Sequence, residues 1–349
     1  MIENISRKQP SRGYFVLVLA LSIVLLVLAF RGVDWNAMFQ TARQARPEYI
    51  ILAIAILTVS YFFRAVRWRI LLRAERPIPL LTVFWATNIG YLGNSFLPAR
   101  AGELIRSVLI GRSASISNSY VLATALSERI LDTFALLIFS FLSIPFVGPL
   151  PAPLVTAVKL LTVASVIGVG GLLLAPRFQG LIFAILDRLP IPEKLAPQLR
   201  GLIEQFLLGM RAFQNFSAAA QFLGWTVVIW LIDIGLAISV ARAFGLTLQI
   251  PQAFLLLAAL GLSSAIPSTP GYIGVYQFVA VTVLVPFGFT QDQALVYIIV
   301  FQLVTYIVVV VWGILGLWRL GLSPQSLPVV SKPAKQPFTG GATERDSVP

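Results

Sequence analysis

The sequence predicts an all-α membrane protein, a polytopic bundle of transmembrane helices. Hydrophobic residues make up 58% of the chain and charged residues only 11%, whereas soluble domains carry about 25% charged residues. The apolar residues also fall into repeated blocks joined by short polar links, and a bilayer core needs about 20 apolar residues per helix. A chain with this composition can bury its surface only in lipid.

Six of the apolar blocks are long enough to be full spans, at residues 14–30, 49–72, 119–144, 154–175, 218–240 and 293–320. The first resembles a signal peptide, but it ends at Arg31 without a small-residue cleavage site, so we expect an uncleaved helix. Pro47 is a normal first-turn residue for the second span. Residues 198–213 predict an amphipathic helix on the membrane surface.

Two further apolar segments are interrupted, at residues 80–97 and 251–286. Pro98 to Gly102 and Pro267 to Gly271 share the pattern Pro-small-x-x-Gly, 169 residues apart. We expect two re-entrant helical hairpins beside the six spans, arranged as an inverted repeat; eight full spans are the alternative. Interrupted helices at matching places in two halves are typical of transporter binding sites.

The net charge of +12 indicates membrane topology and contact with anionic lipid, not a nucleic-acid partner, because the arginines flank apolar spans. The arginines between Arg64 and Arg76 predict a cytoplasmic edge. The N-terminal segment 1–13 and the C-terminal tail 321–349 are then cytoplasmic, and the tail's Pro, Ser, Lys and Gly predict disorder. We expect a multi-pass protein of the cell (inner) membrane.

Glu128, Arg129 and Asp132 lie within a predicted span, where a charge costs at least about 2.5–3.5 kcal/mol unless it has a partner or a cavity. Glu128 and Asp132 share a helix face, and Arg129 can pair with Asp132. Two interpretations remain open: an ion pair that locks helices together, and an internal polar site for a headgroup or a proton.

Arg100, Glu103 and Arg106 follow the first break at helical spacing. A guanidinium matches phosphate with its fork of donors, which favours a headgroup site. The alternative is that the two arginines only mark the cytoplasmic side.

The second break offers a different anion site. Ser268 or Thr269 can cap a half-helix that begins near Gly271, and the free N–H groups there attract a phosphate. Gly271 and Gly274 permit close backbone approach. The alternative is a Pro-Gly turn between two ordinary spans.

Three more polar residues lie at membrane depth: Asn94, Asp233 and Gln277. Asp233 either pairs with one of the arginines or is a functional carboxylate. No cofactor or metal site is predicted, because the chain has neither Cys nor His and no nucleotide-binding GxxxxGK[ST] motif.

Three ordered motifs together resemble the lysylphosphatidylglycerol synthase transmembrane region, also called the flippase-like domain. They are Asn94 to Arg106 (NSFLPARAGELIR), Ser127-Glu128-Arg129 with Asp132, and Pro267 to Tyr276 (PSTPGYIGVY). The resemblance covers residues 14–320. The family includes the membrane half of the multiple peptide resistance factor and stand-alone membrane proteins.

This resemblance implies a bundle that moves phospholipids or polyprenyl-phosphate-linked lipids between leaflets. The residues of this sequence that match the motif positions of the family are Arg100, Glu103, Arg106, Glu128, Arg129, Asp132, Pro270, Gly271 and Gly274. Gln277 stands where the family commonly has Glu, which puts proton coupling at that position in doubt. The sequence lacks the resistance factor's synthase domain, so we expect transport, not lipid synthesis. The expected partners are membrane lipids, anionic or phosphate-bearing.

Three other functions remain open. A membrane-embedded transferase would use a lipid-phosphate donor, with Glu103, Glu128 or Asp132 as its base. A non-catalytic subunit would assist a separate lipid-modifying enzyme. An ion-coupled transporter of small solutes would use an unpaired Asp233.

Overall fold

The computed structural model describes residues 12–97, 101–147, 152–190, 192, 195–264 and 269–322. Regular structure in these residues is entirely helical, which confirms the all-α prediction. The α-helices are α1 Arg12–Phe30, α2 Trp35–Arg43, α3 Pro47–Leu72, α4 Leu80–Phe96, α5 Ala101–Ala114, α6 Asn118–Ser143, α7 Ala152–Leu174, α8 Gln179–Leu186, α9 Ala196–Met210, α10 Phe216–Ala243, α11 Ile250–Ser263, α12 Val275–Leu284 and α13 Gln291–Arg319.

Four helices, α3, α6, α10 and α13, are each long and apolar enough to cross a bilayer unaided. Two bent pairs meet the same criterion together: α1 with α2, bent by 86°, and α7 with α8, bent by 54°. The described residues therefore contain four to six candidate spans, at the places of the six predicted ones. The chain is a polytopic helical membrane protein.

Polar side chains fix where several helices begin. The Asp34 carboxylate accepts hydrogen bonds from the backbone N–H groups of Asn36 and Ala37 at the start of α2. The Asn215 side chain does the same for the start of α10, and the Thr290 hydroxyl for α13. Each cap satisfies donors that have no partner inside the helix.

The two interrupted segments form helical hairpins, α4 with α5 and α11 with α12. These helices have 17, 14, 14 and 10 residues, all shorter than the roughly 20 needed to span a bilayer. In the first hairpin, Gly90 and Gly93 of α4 lie directly against Gly102 of α5, so the two backbones touch. The lengths favour two re-entrant hairpins over eight full spans.

The helix order supports the predicted inverted repeat. A long helix, a hairpin and a second long helix occur as α3, α4–α5, α6 and again as α10, α11–α12, α13. The first helices of the two halves are antiparallel, since Arg46 at the start of α3 bonds to Ala243 at the end of α10, whereas Arg67 bonds to Thr226. Packing is reciprocal as well, with α4 on α13 and α6 on α11.

Apolar packing fills the bundle on two sides of its centre. One cluster of buried side chains comes mainly from α3, α10, α11 and α13, and the other mainly from α3, α4 and α6. Trp68 lies fully buried in the second cluster, and its indole N–H donates to the Thr124 hydroxyl at 3.1 Å. Charged residues are buried in the bundle as well, among them Arg67, Arg106, Glu128 and Asp132.

The hydrophobic pattern of the sequence does not predict α2, α5 or α8. Glu103 and Arg106 interrupt the apolar pattern of α5 because they point into the protein, where other charges meet them. The amphipathic helix predicted at 198–213 is present as α9, Ala196–Met210, followed by a short 3₁₀ turn, and its place on the membrane surface stays a prediction. The predicted terminal segments lie largely outside the described residues, as does most of the linker before α7.

Candidate functional site

Eight charged side chains form one continuous chain of ion pairs across four helices. Arginines and carboxylates alternate along it, so every contact joins opposite charges. In spatial order the residues are Asp233, Arg64, Asp132, Arg67, Glu128, Arg106, Glu103 and Arg129. The chain joins α3, α5, α6 and α10 into one unit, from both halves of the repeat.

Arg67 lies at the middle of this ion-pair chain and is fully buried. Its two terminal nitrogens hold Asp132 in a bidentate pair, at 2.5 and 2.8 Å. The same nitrogens donate to Glu128 at 2.9 Å and to the Thr226 hydroxyl at 3.1 Å. Several bonds to one guanidinium are needed here, because a buried ion is costly unless its partners replace its hydration.

Arg64 joins the first half of the repeat to the second. It bonds to Asp233 at 2.5 Å and lies 3.7 Å from Asp132. Asp233 also accepts a hydrogen bond from the Ser60 hydroxyl at 2.6 Å. The interpretation of Asp233 as the partner of an arginine is therefore confirmed. The hypothesis of an ion-coupled transporter that uses an unpaired Asp233 is therefore not supported.

The opposite end of the ion-pair chain connects the first hairpin to α6. Arg106 pairs with Glu103 at 2.5 Å, at the spacing that the sequence suggests, and with Glu128 at 3.2 Å. The Arg129 Nε atom donates to Glu103 at 2.9 Å. The expected pairing of Arg129 with Asp132 is wrong, because Arg67 and Arg64 from α3 occupy the Asp132 carboxylate instead.

The sequence predicts that the arginines between Arg64 and Arg76 mark an edge of the membrane, but Arg64 and Arg67 do not face that edge. Arg64 and Arg67 point into the protein, whereas Arg73 and Arg76 are exposed. A signal was available in the sequence: Arg64 and Arg67 are three residues apart on one helix face and lie well before the end of α3. What the sequence did not supply was their partners on α6 and α10.

A cavity of about 360 Å³ lies beside this network, between the two hairpins. Both interrupted segments contribute to its wall, through Asn94 and Ser95 at the end of α4 and through Tyr272 and Tyr276 on the other hairpin. Four members of the ion-pair chain also line it: Arg64, Arg129, Asp132 and Asp233. The two ends of the ion-pair chain thus reach the same space.

The rest of the cavity wall is largely apolar. Its apolar residues include Leu57, Leu136, Leu236, Leu257, Leu260 and Val309. The wall therefore offers charges and hydrogen-bonding groups together with apolar side chains. A ligand that contacts both kinds of group is amphipathic.

The second break is held by neutral hydrogen bonds. The Gln277 Oε1 atom accepts from the Gly274 N–H at 2.7 Å, and the Gln277 amide donates to Gln302 at 2.5 Å. Gln302 and Tyr306 both donate to the Gly271 carbonyl, at 3.0 and 2.8 Å. Gln277, at the position where the family resemblance implies Glu, is thus a structural link between the hairpin and α13.

The half-helix after this break starts differently from the expectation. Gly274, not Gly271, is the residue before α12, and the Thr269 hydroxyl donates to the Ile273 carbonyl and caps no helix. The Thr269 N–H donates to the Ser22 hydroxyl of α1 at 3.2 Å. Since α1 packs against Gly274 as well, a neighbouring helix lies close to this N-terminus.

The structure brings most of the predicted site residues together. Glu103, Arg106, Glu128, Arg129 and Asp132 belong to one network, and the Asn94 amide donates to Glu103 at 3.3 Å. Arg100 and Ser268 lie outside the described residues. Thr269, Gly271 and Gly274 belong to the second hairpin and are not part of the charged network.

The fold and this site define a polytopic helical membrane protein with a buried ion-pair network and an amphipathic internal cavity. The model of the lysylphosphatidylglycerol synthase transmembrane region matches residues 15–313. The chain belongs to that family.

Two curated relatives show what else the chain is similar to. It is 22% identical over 232 residues to the UPF0104 membrane protein MJ1078 of Methanocaldococcus jannaschii, covering 63% of this chain and 90% of that protein. It is 25% identical over 223 residues to the glycosyltransferase AglD of Haloferax volcanii, covering 55% of this chain and 36% of that protein. No solved structure matches the chain.

Proposed function

We propose that this protein is a flippase-like lipid translocase, which binds a lipid headgroup in the cavity and moves that lipid between the leaflets. The lipid is a phospholipid or a polyprenyl-phosphate-linked lipid. The observation that carries the proposal is the cavity, whose wall combines charged groups with a surface of leucines. Membership of the family supports a membrane-embedded role but does not by itself specify transport.

Arg129 is the residue best placed to bind a phosphate. Its Nε atom bonds to Glu103, while its two Nη atoms have no hydrogen-bond partner among the described residues. Its side chain is 38% exposed, whereas that of Arg67 is 0% exposed. A guanidinium with two unused Nη atoms on a cavity wall suits a bidentate phosphate contact.

The apolar wall is the reason to propose a lipid rather than a soluble phosphate. Leu257 and Leu260 of α11 and Leu136 of α6 face the space beside the charged groups. Contact with an acyl or isoprenoid chain removes such surface from water, at roughly 25 cal/mol per Å². In this proposal the headgroup contacts the charged groups of the wall, and the chain contacts the leucines.

The other predicted residues have supporting roles in this proposal. Glu103, Arg106, Glu128 and Asp132 hold Arg129 and the cavity wall in place through the ion-pair chain. In this proposal Thr269, Gly271 and Gly274 of the second hairpin border the lipid's path, and Arg100 and Ser268, which lie outside the described residues, are proposed headgroup contacts on the sequence alone. Movement then consists of one hairpin opening relative to the other around the bound headgroup.

Reconstitution into phosphatidylcholine vesicles tests the proposal. A trace of acyl-chain-labelled phospholipid reports exchange between leaflets, because a membrane-impermeant reductant bleaches only the outer leaflet. The protein should accelerate exchange, and Arg129→Gln should reduce the acceleration about tenfold or more, the effect of losing roughly 1.4 kcal/mol. Arg200→Gln, which removes an exposed arginine paired with Asp187, is the control and should retain the activity.

An absence of acceleration by the unchanged protein, or equal activity of Arg129→Gln, contradicts the proposal. Release of the headgroup from a labelled lipid by the purified protein would instead support the membrane-embedded transferase. If lipid exchange accelerates only when a lipid-modifying enzyme co-purifies, the result would support the hypothesis that this protein is a non-catalytic subunit of that enzyme. The relative named as a glycosyltransferase makes a polyprenyl-phosphate sugar the first donor to assay.

The location and orientation are part of the same proposal. We place the protein in the cell membrane with both termini in the cytoplasm. Arg73 and Arg76, exposed after the end of α3, support this orientation because basic residues flanking spans favour the cytoplasmic side.

A further inference from the structure

We infer that the headgroup taken by this cavity is zwitterionic, a phosphate joined to a primary ammonium as in phosphatidylethanolamine. The inference rests on the proposed function and narrows its lipid class. It departs from the expectation of an anionic lipid, which the net positive charge of the chain suggests.

The first observation is that charges of both signs line the cavity. Arg129 and Asp132 lie three residues apart on α6, one helical turn, and both face the space. Asp233 adds a second carboxylate from the opposite half of the repeat. Two guanidiniums, Arg64 and Arg129, and two carboxylates, Asp132 and Asp233, are therefore presented to the same ligand.

The second observation is that these two carboxylates can accept further hydrogen bonds. An ionised carboxylate accepts about four hydrogen bonds. Asp233 receives two from described residues, one from Ser60 and one from Arg64. Both Asp233 and Asp132 keep part of their side-chain surface accessible, 8% and 11%. Each can accept a further N–H from a ligand, which an ammonium supplies and a phosphate does not.

The third observation is the charge balance of the network. Its four arginines are matched by four carboxylates among the described residues. A bound phosphate alone would add an uncompensated negative charge next to Asp132 and Asp233, and such a charge is costly within a membrane-spanning bundle. A headgroup that brings its own ammonium keeps the site neutral.

Together these observations assign the two ends of the headgroup. The phosphate binds the Nη atoms of Arg129, and the ammonium lies towards Asp132 and Asp233. The acyl chains contact the leucines of α10 and α11, which commits the site to a lipid and not to a free phosphoethanolamine. The selectivity is therefore set by charge arrangement and by the apolar wall together.

The experiment compares leaflet exchange of two reporters that carry the same acyl-chain label, phosphatidylethanolamine and phosphatidylglycerol, in the same vesicles. The unchanged protein should move the ethanolamine lipid faster. Asp233→Asn removes one carboxylate and leaves a net positive site, so the ratio of the two rates should fall about tenfold or more towards the glycerol lipid.

Two matched variants separate the charge effect from general damage. The double variant Arg64→Gln with Asp233→Asn restores neutrality but still lacks the Asp233 acceptor, so its ratio should lie between those of Asp233→Asn and the unchanged protein; a ratio no higher than that of Asp233→Asn would contradict the role of charge balance. Asp187→Asn makes the same chemical change at an exposed position of the surface region, where the ratio should not change. Excess soluble glycerophosphoethanolamine should not inhibit, because it lacks the chains that the leucines contact.

The outcomes distinguish this inference from the proposed function. Equal rates for the two reporters, or faster movement of the glycerol lipid by the unchanged protein, overturn the zwitterionic headgroup while leaving translocation standing. Movement of neither reporter overturns the translocase itself. Inhibition by the soluble headgroup overturns the assignment to a lipid. If Asp233→Asn does not fold, the ratio measured for the unchanged protein decides alone.

Discussion

The guanidinium of Arg64 meets the carboxylate of Asp233 at 2.5 Å, although 169 residues of chain separate the two. The same separation relates Pro98 to Pro267 and Gly102 to Gly271 in the sequence. Arg64 and Asp233 therefore hold equivalent positions in the two halves of the repeat, and one half supplies the cation while the other supplies the anion. This ion pair joins the halves at the wall of the cavity.

Replacing Arg67 with Met should destabilise the protein by about 3–5 kcal/mol, because Asp132 and Glu128 would lose a buried partner. The measurement is the thermal unfolding midpoint of the detergent-purified protein. Arg73→Met, an exposed change at the end of the same helix, is the control and should leave the midpoint nearly unchanged. Equal unfolding midpoints for the two variants would show that the ion-pair network contributes little to the stability of the protein.

Gly102→Ala should weaken the first hairpin. A Cβ atom on Gly102 would overlap the carbonyl oxygen of Gly90 and crowd Asn94, so α4 and α5 would have to separate, at a cost of about 1–3 kcal/mol. Gly201→Ala in α9 is the control, because it makes the same substitution where the added Cβ meets open space. It should leave the stability of the protein unchanged or raise it, since Ala favours helix. Thermal unfolding of both variants checks this, and a stable Gly102→Ala protein would refute the close packing.

Gly274→Ala should detach α1 from the second hairpin. This residue has a φ of +86°, and an added Cβ would overlap the backbone carbonyl of Ser22. Gly245→Ala has a φ of +68° with open space around it, so it should cost only the strain of about 1–2 kcal/mol. Limited proteolysis should release α1 from the Gly274→Ala variant sooner; equal release from both would contradict the contact.

Single cysteines test the orientation, because the natural chain has none. Gln44 and Glu75 are exposed just before and just after α3. With both termini in the cytoplasm, Gln44→Cys should react with an impermeant thiol reagent in intact cells and Glu75→Cys only after permeabilisation. The reverse pattern would invert the proposed topology.

The sequence by itself determined the membrane class, the positions of the long helices and the two interrupted segments. These features depend on local composition: hydrophobic length sets a span, and Pro with Gly interrupts it. Most of the charged site residues were also recognisable, because a charge inside an apolar span is costly and therefore rare.

Only the tertiary structure decided which charges are partners. Asp132 lies three residues from Arg129 in the sequence, yet it pairs with Arg67 and Arg64 of another helix. Short spacing makes a pairing possible, but helix packing decides which guanidinium reaches the carboxylate. The cavity has the same origin, since its lining residues come from helices of both halves, which are distant in the chain and meet only when the two halves pack together.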